Sequence, residues 1–158
     1  MVLSVGEVNN NKNHKVGIEA LAKLNDPDVY YVICGRGPSM EAHRELAKEL
    51  GVGDRVILTD YRTDVADFYK MADVFLFPSF REGLPVAVME AMASGLPVIA
   101  TKIRGSSDLV QQGALFDPTD ADGIAKAVKT LQLCNVKYET AVFDIHKVME
   151  WMKEIYSV

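Results

Sequence analysis

The 158-residue chain has little cysteine, no excess of positive charge and no long uninterrupted apolar run, and each shortage closes a class of function. Its two cysteines, Cys34 and Cys134, cannot build the disulfide framework of a small secreted scaffold. Lys and Arg number 17 against 22 Asp and Glu, a formal net charge of −5, so no nucleic-acid partner is expected and no direct binding to anionic lipid. The N-terminus has no basic segment followed by an apolar one, which argues against a signal peptide. The longest nearly apolar stretch, Leu84 to Ala100, carries Glu90, Ser94, Gly95 and two prolines, and does not suit a membrane span. His14, His43 and His146 lack Cys or His partners at ligand spacing, so no metal site is expected. What is present, 49% hydrophobic and 25% charged residues, is the composition of a soluble globular domain, expected in the cytoplasm. The length suits one domain with a real core.

Short β-branched runs alternate with helical stretches. Expected strands are Val2–Val8, Val29–Cys34, Arg55–Thr59, Val74–Phe77, Val98–Thr101 and Ala114–Phe116. Between them the pattern predicts helices from Val16 to Leu24, Ser39 to Leu50 (Leu46, Ala47 and Leu50 inward, Gly51 closing it), Asp64 to Met71 and Pro85 to Ser94. Asp64 is a candidate cap for its helix, and Thr119-x-x-Asp122 is a capping-box signature for a last one running to Leu131. Apolar positions from Tyr138 to Tyr156 add a long amphipathic C-terminal helix. Strands apolar throughout, alternating with helices, imply an α/β fold: a doubly wound, Rossmann-like parallel sheet of about six strands with helices on both faces.

Ligands of such sheets bind beyond the carboxyl ends of the strands, near the point where strand order reverses. That nominates the loops Gly6–His14, Gly35–Pro38, Asp60–Asp64, Pro78–Leu84 and Thr101–Ser107. The most informative segment runs from Phe77 to Gly95. Glu90 is its only charge after Glu82, on a helix expected to be buried nearly all round, where a carboxylate needs a partner or a purpose. Gly83 permits close backbone approach, and a helix start beyond Pro85 presents N–H groups suited to a phosphate. Two carboxylates could then contact two hydroxyl-bearing parts of a sugar nucleotide. Equally, Glu90 marks a narrow solvent face and Glu82 a surface loop. Gly35-Arg36-Gly37 lacks the third glycine of a dinucleotide fingerprint, and Tyr30 and Tyr31 read as strand packing.

Glu82 and Glu90, eight positions apart within Pro-Ser-Phe-Arg-Glu-Gly-Leu-Pro-Val-Ala-Val-Met-Glu-Ala-Met-Ala-Ser-Gly, resemble the two-glutamate signature of glycosyltransferase family 4, retaining enzymes of the GT-B fold. Ser4-Val5-Gly6-Glu7 with Lys12-Asn13-His14, Cys34 to Pro38, Tyr61 to Val65 and Ile103-Arg104-Gly105 fall in the same order as in that family. The resemblance implies that residues 1–158 are a single C-terminal, donor-binding domain, with the acceptor-binding N-terminal domain absent from the chain. It implies a nucleotide-sugar partner (UDP-, GDP- or ADP-linked) and no cofactor or obligatory metal. An acceptor glycan or lipid-linked sugar would be held by the missing domain, and any membrane association would be peripheral and through the full-length enzyme. Glu82 would act at the transferred sugar or departing phosphate as the catalytic carboxylate, and Glu90 would hold the ribose. Gly83 and Leu84 would offer backbone N–H groups to the diphosphate, Lys12 its charge, and Tyr61 and Arg62 would flank the base. Glu7 stands where many members carry an arginine, leaving Arg36, Arg81 and Arg104 as candidate phosphate contacts. The implied work is sugar transfer in bacterial capsule, exopolysaccharide or lipopolysaccharide synthesis, the chain alone binding donor but transferring little. A sugar-nucleotide epimerase is one alternative. A response-regulator receiver, with Asp60, Ser79 and Lys102 near its expected positions, is another.

Overall fold

The computed structural model describes residues 1–110 and 114–132. The expected helix between Tyr138 and Tyr156 lies outside them. Six strands, β1 (Val2–Val5), β2 (Tyr31–Cys34), β3 (Val56–Leu58), β4 (Val74–Phe77), β5 (Val98–Thr101) and β6 (Ala114–Phe116), form one parallel sheet in the order β3-β2-β1-β4-β5-β6. Helices α1 (His14–Leu24), α2 (Met40–Glu49), α3 (Val65–Met71), α4 (Val86–Ala93), α5 (Arg104–Leu109) and α6 (Ala121–Gln132) connect and cover the strands. Strand order reverses between β1 and β4, the doubly wound arrangement that was expected, and not the 2-1-3-4-5 order of a receiver.

The sheet separates two apolar layers. One gathers Val16, Ile18, Leu21, Tyr31, Ile33, Leu76, Ile99, Ile124 and Val128, joining α1 and α6 to the strands. The other gathers Leu3, Val32, Phe75, Phe77, Val88, Ala91, Met92 and Val98 beneath α3 and α4. Strands β1, β2, β4 and β5 are buried on both faces, as continuous apolar runs require, whereas edge strand β3 leaves Ile57 exposed.

Several boundaries differ from the sequence pattern for local reasons. β1 stops at Val5 because the chain turns at Gly6, and Val8, though fully buried, pairs with the next loop through Arg36 O and Ser39 N. Tyr30 precedes β2 and is exposed; only Tyr31 packs inside. Leu50 lies past the end of α2, also exposed. Asp64 occupies the cap position of α3, but its carboxylate is held by Arg62. The cap of α6 comes from Asp120, whose Oδ1 accepts from the Gly123 N–H at 2.8 Å, and not from Thr119. Helix α5 occupies most of a segment expected to be loop. Helix α4 is apolar in composition but covered on one side only: Val88, Ala91 and Met92 are buried, while Val86 and Glu90 face solvent.

Candidate functional site

The carboxyl ends of β1 and β4 flank the reversal point, and two loops meet above them. Asn11 accepts from the Phe80 N–H through its carbonyl (2.8 Å) and donates from Nδ2 to Arg81 O (2.9 Å). Asn13 Nδ2 donates to Pro78 O (3.0 Å) and Pro118 O (2.8 Å). Asn13 itself takes a left-handed φ of 51° just before α1, a conformation asparagine tolerates. These bonds tie the β1–α1 loop to residues 65 to 105 positions away in the chain.

Lys12 sits at the centre of this seam. Its stem passes over Gly6, its ammonium lies 5.2 Å from the Phe77 ring centroid, and its Nζ donates to Glu82 Oε1 at 2.7 Å. Both side chains of the pair are mostly enclosed, 21% and 16% exposed. Glu82 leads directly into Gly83 and Leu84. Among the hydrogen bonds of the described residues none uses the N–H of either, and both residues are exposed just before α4. Gly105, in α5, abuts the Glu82 and Gly83 carbonyls; a Cβ there would stand 2.7 Å from Gly83 O. Helix α5 therefore braces the glutamate loop, and only glycine allows the contact.

A cavity of about 320 Å³ opens beside this seam, lined by Val5, Gly6, Glu7, Cys34, Gly35, Arg36, Tyr61, Arg62 and Val65. The Arg36 guanidinium lies 6.0 Å from the Tyr61 ring centroid. Arg62 forks onto Asp64 and covers Phe68 at 5.4 Å. That ion pair lowers the Asp64 pKa and raises that of Arg62. Asp60, with φ 66°, bonds the next N–H (Tyr61) through its own Oδ1 at 2.7 Å and receives the Gly35 N–H at 3.0 Å. Gly35 and Gly37 owe their type to packing: added Cβ atoms would meet Gly6 O at 1.9 Å and Val8 O at 2.3 Å. Burial raises the Cys34 thiol pKa, so it remains an uncharged part of the cavity wall.

Glu90 lies just over one turn into α4. It is exposed, and its Oε2 accepts from Tyr69 Oη at 2.9 Å. Burial first, and then the Glu90 carboxylate, raise the Tyr69 pKa, so Tyr69 stays a donor. Of the two readings of Glu90, the solvent-facing one describes its position; its chemistry is that of an accessible carboxylate held by a buried tyrosine. Glu7 is exposed and bonded to Asn9 Nδ2 at 2.9 Å. Arg36, Arg81 and Arg104 are all exposed at this end of the sheet, and of the three Arg36 borders the cavity.

The structure thus brings together Lys12 and Glu82, places Gly83 and Leu84 beside them, and sets Tyr61, Arg62 and Arg36 around an adjoining cavity. Sequence reasoning missed Tyr69, Asn11 and Asn13. Asparagine before a helix was a usable signal for Asn13, whereas nothing local distinguished Tyr69 from a core residue. Beneath the loop, burial drives the His14 pKa down to about 3, with His43 and Lys12 adding to the shift. His43 is lowered by burial as well.

Residues 1–142 match the family described as glycosyl transferases group 1. A lipopolysaccharide core biosynthesis glycosyltransferase, LpsE of Rhizobium meliloti (strain 1021), is 32% identical over 134 residues, 83% of this chain and 39% of that protein. The UDP-Gal:alpha-D-GlcNAc-diphosphoundecaprenol alpha-1,3-galactosyltransferase of Escherichia coli is 30% identical over 143 residues, 82% of this chain and 37% of that protein. The chain therefore spans well under half the length of these curated relatives. Among solved structures, Anabaena HepE in complex with UDP and glucose superposes with a TM-score of 0.87 over 99% of this chain and 48% of that one, at 22% identity. That likeness is one of fold.

Proposed function

This chain belongs to the glycosyl transferases of group 1, and from that premise we propose that it is the donor-binding half of a retaining, family 4 enzyme that moves a sugar from a nucleoside diphosphate to an acceptor hydroxyl. The observation that carries this reading is the Lys12–Glu82 pair at the strand-order reversal, next to the two unpartnered N–H groups before α4. A diphosphate set there meets one ammonium and two backbone donors. Charge that grows on the leaving group as the glycosidic bond breaks would be met by fixed positive poles and would need no obligatory metal.

In the proposed reaction the bond between the anomeric carbon and the diphosphate breaks while the acceptor oxygen bonds the same face. The acceptor proton leaves on a phosphate oxygen. Glu82 contacts the sugar or the departing phosphate. Glu90, aimed by Tyr69, accepts from the ribose hydroxyls, and the base enters the cavity bounded by Tyr61, Arg62 and Arg36. Arg81 and Arg104 remain candidate phosphate contacts. The acceptor, a glycan or lipid-linked sugar of a cytoplasmic surface-polysaccharide pathway, would be held by a second domain, with any membrane contact peripheral. The relative named for lipopolysaccharide core biosynthesis supports the surface-polysaccharide assignment, and the one named for a diphosphoundecaprenol-linked sugar supports a lipid-linked acceptor.

Calorimetric titration with UDP, GDP and ADP, then with the corresponding nucleotide sugars, tests the reading. One nucleotide is expected to bind saturably with EDTA present, and the chain alone should transfer little or nothing. Glu90→Ala should weaken that nucleotide, and Glu82→Ala should chiefly erode the preference for the intact donor. Unchanged isotherms for both variants would remove the site assignment, and transfer by the chain alone would refute the half-enzyme reading.

A further inference from the structure

The Lys12–Glu82 ion pair has a geometry that bears on the order of events, and the inference drawn from it rests on the donor-site reading above. Both residues are candidates for ligand contact, yet they pair with each other at 2.7 Å in a mostly enclosed setting. Their two loops are held close together. The Lys12 stem lies against Gly6 with its ammonium over the Phe77 ring, and the residue before Glu82 is bonded through its carbonyl to Asn11, one position from Lys12. The two loops are stitched so that the carboxylate lies where an anion bound to Lys12 would lie.

We infer that Glu82 is an internal competitor of the donor diphosphate. Its carboxylate holds the Lys12 ammonium that the diphosphate would need. Entry of a diphosphate exchanges one anion for the other and releases Glu82 to accept from sugar hydroxyls. An intact donor repays the lost ion pair through those hydroxyls. A bare nucleoside diphosphate, the product after transfer, has no sugar to offer, so Glu82 returns to Lys12 and expels it. Glu82 is then a specificity residue for donor over product, acting by competition for one cation as well as by sugar contact. The pair is partly exposed, so the competition is modest in size.

The experiment is calorimetric titration of the full chain and its Glu82→Gln, Lys12→Met and doubly substituted variants, with the nucleoside diphosphate that binds and, separately, with inorganic pyrophosphate. Glu82→Gln keeps size and removes charge. It is expected to bind bare nucleoside diphosphate and pyrophosphate about fivefold more tightly than the unaltered chain. That gain should vanish when Lys12 is Met. Equal or weaker binding by Glu82→Gln, or a gain that persists without Lys12, overturns the inference. If no nucleotide binds but pyrophosphate behaves as described, the donor-site reading fails and the competition stands. If pyrophosphate binding is also unaffected by Glu82→Gln, both fall.

Discussion

The two ends of the candidate site are built differently. At the proposed phosphate end Lys12 and Glu82 are mostly enclosed and held by Asn11 and Asn13 through bonds to distant parts of the chain. At the proposed nucleoside end Tyr61, Arg62 and Glu90 are exposed, and Arg62 is held by near neighbours, pairing with Asp64 and covering the Phe68 ring. An enclosed charge contact is screened less and held at less entropic cost than an exposed one. The first end is therefore preorganised, and the second is a set of side chains able to adjust to a base and ribose. Affinity should come mainly from the seam between the loops, and selectivity among nucleotides from the looser rim.

Substitutions at the two ends should separate them, and the largest effect belongs to the seam. Lys12→Ala should weaken nucleoside diphosphate binding by roughly tenfold to a hundredfold, the range of a hydrogen bond to a charged group. Isothermal titration checks this, and a change under twofold would break the contrast. Asn13→Ala removes two bonds to buried or partly buried carbonyls and should lower unfolding free energy by about 2 kcal/mol in urea denaturation, with loss of binding as the loops part.

The third test concerns protons. His14, with its pKa depressed to about 3 in the folded chain and an ordinary value near 6.5 when unfolded, binds fewer protons folded than unfolded between those values. Stability must then fall as pH falls below about 6.5. The slope reaches at most about 1.4 kcal/mol per pH unit for this residue, with His43 acting in the same direction. Urea midpoints from pH 7 to pH 5 should decline, and His14→Gln should flatten the decline; an unchanged slope removes His14 as its cause. At the looser rim Glu90→Ala should cost about fivefold in affinity for a ribonucleotide and less for its 2′-deoxy form, which retains only the 3′-hydroxyl for that contact. Equal losses for both would sharpen the picture differently, by assigning Glu90 elsewhere on the ligand.

What the sequence revealed follows the same division. The parallel sheet was legible because buried strands are apolar throughout, and the glutamate pair because charge is rare between Leu84 and Ala100. The solvent exposure of Glu90 was one of two readings that the sequence left open. Apolar composition suggested burial all round, but one sheet covers one face of α4 and leaves Val86 and Glu90 outside. The Lys12–Glu82 contact joins residues 70 apart, which periodicity does not encode. The left-handed backbone of Asp60 and its bond to the Tyr61 N–H likewise had no signal in the pattern of apolar residues. Helix α5 escaped notice because Arg-Gly-Ser-Ser reads as a loop.

The measurement that bears most directly on the account is a backbone amide NMR titration with the nucleoside diphosphate that calorimetry identifies. Mapping of the diphosphate onto the seam predicts the largest shifts at Lys12, Glu82, Gly83 and Leu84, with smaller ones at Tyr61, Arg62 and Glu90. Saturable shifts confined to the opposite end of the sheet, at Asn25–Asp28 or Gly51–Arg55, would contradict it.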